Sequence, residues 1–133
     1  MDNRSNQKIE DYKDLIVWQR SMELAEEVYR LVKKLPKEEL FALSDQIRRA
    51  VISIPSNIAE GYERNSTKEY IHFLSIAKGS KAELETQLLL CTKIHYLNNS
   101  DIEKSISLIQ EIGKMIHSLQ NLNSNPYSLN PIP

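Results

Sequence analysis

Apolar residues recur at steps of three and four over most of this chain, and that spacing restricts it to long amphipathic helices. Leu15, Trp18, Met22, Ala25, Tyr29 and Val32 form one such row. Val17, Leu24, Val28, Leu31 and Leu35 form a second row beside it. The spacing predicts a first helix from a cap at Asp14 to about Leu35. Two adjacent apolar faces carry more surface than one neighbour can cover, so this helix is expected to sit centrally or to meet another subunit.

Only 3 glycines and 5 prolines punctuate the 133 residues, which leaves room for few turns. Pro36 ends the first segment. A second helix follows from near Glu38 or Leu40 to about Arg64, with Leu43, Ile47, Ala50, Ile54, Ile58 and Tyr62 on its apolar side. Pro55 falls inside that pattern and predicts a kink, because proline lacks the amide that bonds the preceding turn. The stripe keeps its phase across Pro55, so one kinked helix is the reading, with a break there as the alternative.

Ser66 and Glu69 have the spacing of a capping box at the start of a third helix, which reaches about Leu97. Tyr70, Phe73, Leu74, Ala77, Leu84, Leu88, Cys91 and Ile94 are its apolar residues. Asn98 and Asn99 mark a turn, and Ser100 with Glu103 repeats the box. Ile102, Ile106, Ile109, Ile112, Ile116 and Leu119 carry a fourth helix to about Leu122. Fold class is therefore all-α, an antiparallel up-down-up-down four-helix bundle over 14–122. Residues 1–13 form a polar arm, and the Pro/Asn-rich 123–133 an extended or disordered tail.

Seventeen basic and 18 acidic residues give a formal net charge of −1, so a nucleic-acid surface has to be a local patch. The single cysteine cannot form an internal disulfide, no apolar run reaches the roughly 20 residues of a membrane span, and no signal segment opens the chain. A cytoplasmic location and no membrane contact are expected.

Cys91 and His95 share a helix face at a spacing of four, but a third metal ligand is missing, so no metal and no cofactor are expected. Gly61, Gly79 and Gly113 are isolated, and no glycine-rich phosphate loop exists. No acid–base or nucleophile pairing stands out, and the chain is not expected to be an enzyme.

The second helix also carries a polar row: Gln46, Arg49, Ser53, Asn57, Glu60 and Arg64, with Gly61 beside it. Serine, asparagine and glycine are mediocre or poor helix formers, so a merely solvated face has little use for them. Small groups and amides suit a close, hydrogen-bonded helix contact, between helices or between subunits. A matching sparse face on the third helix comprises Ser75, Gly79, Ala82, Glu83 and Thr86. Basic residues gather in two places: Arg30, Lys33, Lys34 and Lys37 at the end of the first helix, and Arg48, Arg64, Lys68, Lys78 and Lys81 along the second and third.

The run from Gln46 to Gly61, QIRRAVISIPSNIAEG, resembles the signature of the 23S rRNA intervening-sequence proteins, also called four-helix bundle proteins. DLIVWQ from Asp14 to Gln19 and FLSIAKGS from Phe73 to Ser80 match as well, and the resemblance spans roughly Tyr12 to Leu119. It implies a bacterial, ring-like homopentamer named for inserts in ribosomal RNA genes. The chain is also similar to the accessory variability protein of diversity-generating retroelements, a strongly basic bundle that binds nucleic acid and a reverse transcriptase. Taken together, a homo-oligomeric module associated with RNA or DNA is expected, with Arg48, Arg64, Lys68, Lys78 and Lys81 on phosphates. The alternative is a scaffold or accessory subunit for a protein partner such as a reverse transcriptase.

Overall fold

The computed structural model describes residues 8–124, and within them the four apolar rows become four helices. They are α1 (Ile16–Val32), α2 (Leu43–Glu63), α3 (Thr67–Lys93) and α4 (Asn99–Ser124), with 3-10 turns at Tyr12–Asp14 and Lys37–Glu39. No strand occurs among the described residues. Each helix packs on the next in chain order and α4 returns onto α1, whereas the diagonal pairs make no such approach.

Cross-links fix the directions. Arg20 pairs with Glu111 and Lys34 with Asp101, so α1 and α4 run oppositely. Ser53 meets Ser80 across α2 and α3, and Gln120 reaches Ile71 and Ser75 across α3 and α4. The bundle is antiparallel and up-down-up-down.

Its core holds one row from each helix: Leu24, Val28 and Leu31 from α1, Ile47, Ile54 and Ile58 from α2, Leu74, Leu84 and Leu88 from α3, and Ile109, Ile112 and Ile116 from α4. Burying each such side chain contributes about 1.5–3 kcal/mol. The other apolar row of α1 stays partly open, with Met22 and Tyr29 exposed. α2 runs through Pro55 without interruption.

Helix ends depart from expectation in all the helices. Asp14 does not cap α1; it closes the preceding 3-10 turn, accepting the amides of Glu10 and Asp11, while Leu15 opens α1 with no side-chain cap. Tyr12 packs edge-on against Trp18 at 5.4 Å, so part of the expected polar arm belongs to the folded body. α1 stops at Val32, and the Lys37–Glu39 turn delays α2 to Leu43. α3 stops at Lys93 because His95 takes a left-handed backbone (φ 68), with the amides of His95 and Tyr96 donating to the carbonyls of Thr92 and Cys91. That reversal turns Leu97 into the core.

At the start of α4, Asp101 rather than Glu103 reaches back, accepting the Asn98 amide at 2.8 Å, and Ser100 is already inside the helix. Asn123 and Ser124 still belong to α4. The rest of the expected tail, and residues 1–7 of the arm, lie outside the described residues.

Glu27 is a buried carboxylate held by the Arg30 guanidinium through two bonds of 3.0 and 2.7 Å. Those bonds, opposed by burial, hold its pKa below the ordinary glutamate value. A carboxyl lowered on folding contributes stability above the ordinary carboxylate range and loses it as pH falls through its folded pKa. Glu27→Gln is therefore expected to reduce stability at neutral pH by no more than about 1 kcal/mol, since Arg30 faces solvent. It also flattens the acid limb of stability against pH, read by urea denaturation at stepped pH values.

Candidate functional site

The polar row of α2 divides between the α2–α3 seam and its rim. Ser53 and Ser80 share a hydroxyl–hydroxyl bond of 2.7 Å, and Asn57 Nδ2 donates to the Ser53 carbonyl at 2.8 Å and hydroxyl at 2.9 Å. One turn further on, a Cβ placed on Gly61 would lie 2.6 Å from Phe73 Cβ and 3.3 Å from a Tyr70 ring carbon. α2 and α3 thus approach through small residues and short polar bonds. Gln46, Arg49 and Glu60 stay outside, with Arg49 paired to Asp45 and Glu60 to Arg64 on their own helix.

The counterpart expected on α3 is not what meets this row. Ser75, Gly79, Ala82, Glu83 and Thr86 are all exposed, and nothing lies within 4 Å of a Cβ built on Gly79. Ser80, one position along, provides the contact. A helix advances about 100° per residue, so neighbours in sequence point to different partners. Within the subunit, tight packing offsets the helix cost of Gly61 and not that of Gly79.

The five cations expected on phosphates do not converge. Arg64 is held by Glu60 at 3.0 Å and Glu69 at 3.8 Å, with its guanidinium 5.0 Å from the Phe73 ring centre. The Lys81 stem lies over Gly113 of α4, with Cδ and Cε 3.5 Å from where a side chain there would begin. Lys68 and Lys78 are exposed and make no ion pair among the described residues. Arg48 donates to the Leu40 carbonyl at the opposite end of α2, roughly 24 Å along the axis from Arg64.

Cys91 and His95 do not share a helix face, because His95 lies beyond the end of α3 and is exposed while Cys91 is buried. Burial pushes the Cys91 thiol pKa up, with Glu39 adding to the shift. Among the described residues no group of three or more His, Cys, Asp or Glu is placed to hold a metal ion. No helix there is long and apolar enough to cross a membrane. Among the described residues three buried polar atoms have no partner: the Tyr70 hydroxyl, Gln87 Oε1 and Ser105 Oγ. Sequence reasoning did not anticipate these, since helical rows of mixed residues hide which polar member turns inward.

Such a molecule is an antiparallel four-helix bundle whose distinctive polar groups tie helices together. The chain belongs to the 23S rRNA-intervening sequence protein family, whose model matches residues 13–118. It is similar to the crystal structure of a protein of unknown function from the S23 ribosomal protein family of Bacteroides thetaiotaomicron VPI-5482. The two are 30% identical with a TM-score of 0.73, over 79% of this chain and 98% of that one. No curated protein matches the chain.

Proposed function

We propose that the protein is a non-enzymatic, homo-oligomeric bundle, pentameric as the family resemblance implies, that associates with RNA. The apolar surface left open on one subunit carries this reading. Met22 and Tyr29 on α1, Ile52 on α2, and Ile76, Leu89 and Leu90 on α3 are exposed, and Phe41 before α2 is 90% exposed. Contiguous exposed apolar area is characteristic of surfaces that other molecules cover. Ile76, Gly79, Glu83, Thr86 and Leu90 form one exposed row along α3, where glycine gives a second helix room to approach.

RNA is supported by the description of the family and by the unpaired Lys68 and Lys78. A symmetric assembly repeats each exposed cation, and phosphate attraction grows with every charge neutralised.

Native mass spectrometry of protein purified with and without nuclease tests both parts. A multiple of the 15.4 kDa subunit is expected, with added mass that nuclease removes. A lone subunit at micromolar concentration refutes the assembly, and nuclease-insensitive mass refutes the RNA. Gly79→Arg is expected to leave the melting temperature unchanged or higher, since an exposed mid-helix glycine costs about 1 kcal/mol relative to a good helix former. The same variant is expected to reduce the particle to single subunits, so its melting temperature is compared with that of wild type diluted to single subunits. An unchanged particle mass removes this face of α3 from the contact.

A further inference from the structure

We infer that the cleft at the corner of α1 and α2 is a phosphate-ester site, walled by Lys33, Lys37 and Arg48 with the Tyr29 ring alongside. It rests on the RNA reading only for the source of the phosphate. The cleft has a volume of about 460 Å³, within the range of small-molecule sites, and Leu40 and Ser44 complete its wall.

Charge pairing picks out Lys33 and Lys37 from the basic end of α1. Arg30 is held by Glu27 and Lys34 by Asp101 at 2.9 Å, so both are neutralised within the fold. Lys33, Lys37 and Arg48 pair with no acid among the described residues, and all three line the same cleft. No carboxylate lines it. Glu39 accepts the Tyr96 hydroxyl at 3.0 Å and faces the Leu43 amide at 3.4 Å, and Asp45 pairs with Arg49. Glu26 lines only the adjoining shallow groove, which shares Tyr29 and Lys33 with the cleft.

Three unneutralised cations around one concavity repel one another and are relieved by an anion. The bond from Arg48 to the Leu40 carbonyl at 3.2 Å holds its guanidinium at the start of α2, on the wall of the cleft. Tyr29, 40% exposed, offers a ring on which a base can stack, which favours a nucleotide over a bare anion.

Fluorescence anisotropy of a short labelled oligouridylate with the full chain tests the site. Lys33→Gln/Lys37→Gln is compared with Arg30→Gln/Lys34→Gln, which removes the same charge from the same helix end. The first pair is expected to weaken binding at least tenfold and to lower the salt slope by about 1.4, the loss of two phosphate contacts. The second is expected to change affinity less than twofold. Equal losses in the two variants, with both still folded by circular dichroism, overturn the site and leave general RNA association standing.

Competition by uridine monophosphate and by inorganic phosphate separates the sources. Displacement by the mononucleotide, absent in Lys33→Gln/Lys37→Gln, supports the cleft and assigns it to a free nucleotide as well. If the oligouridylate does not bind wild type, titration calorimetry with the mononucleotide decides. Heat that the Lys33→Gln/Lys37→Gln variant lacks keeps the cleft while RNA association falls, and no heat overturns the cleft too.

Discussion

Gly61→Ala is expected to lower stability by about 2–3 kcal/mol, a drop of about 10 °C in melting temperature for a domain of this size. The new methyl would lie 2.6 Å from Phe73 Cβ, an atom fixed to the α3 backbone that no rotamer change can move aside. Relief requires α2 and α3 to separate, and separation stretches the Ser53–Ser80 bond about two turns away. The usual gain of up to about 1 kcal/mol from replacing a helical glycine by alanine is smaller than this cost. Thermal denaturation checks the sign, and a raised melting temperature would show that the helices do not cross closely there.

Leu84→Ala is expected to cost more, about 4 kcal/mol. Leu84 is wholly buried in the middle of α3, a helix of 27 residues held by α2 on one side and α4 on the other. Clamped between two neighbours, α3 cannot shift to close the void, so the cavity term adds to the lost transfer energy. Leu89→Ala, on the same helix at an exposed position, supplies the control, with a change below about 0.5 kcal/mol in the isolated subunit. Urea denaturation of the two variants at equal protein concentration compares them. A Leu84→Ala loss as small as that of Leu89→Ala would contradict the core described here.

Where the rows run was legible before any coordinates. Ile109, Ile112 and Ile116 point inward because a period of 3.6 residues leaves them one common side. Where the rows stop was less so. Asp11, Asp14 and Leu15 compete to open α1, and the outcome depends on Tyr12 packing against Trp18. His95 gives no sign in sequence of a left-handed backbone; it adopts one because the reversal puts Leu97 into the core.

The candidate sites divide in the same way. The polar row of α2 was visible as a row, and its unusual residue types marked it as more than solvated surface. Which half would enter the seam was not. Glu27 lies three residues from Arg30, a pairing that helix geometry makes readable. Asp101 lies 67 residues from Lys34, and only the return of α4 onto α1 joins them. Until that pairing is known, Lys33 and Lys37 cannot be told from Arg30 and Lys34, and the cleft beside Arg48 is hidden.

Sequence by itself determined four helices, their apolar sides, their antiparallel order and the family, because periodicity, short connections and a motif are local properties. Tertiary structure alone decided that Gly61 meets Phe73 while Gly79 meets nothing, and which cations keep their charge. Both depend on what lies opposite a residue in space, and residues alike in local sequence differ in that respect once the helices have packed.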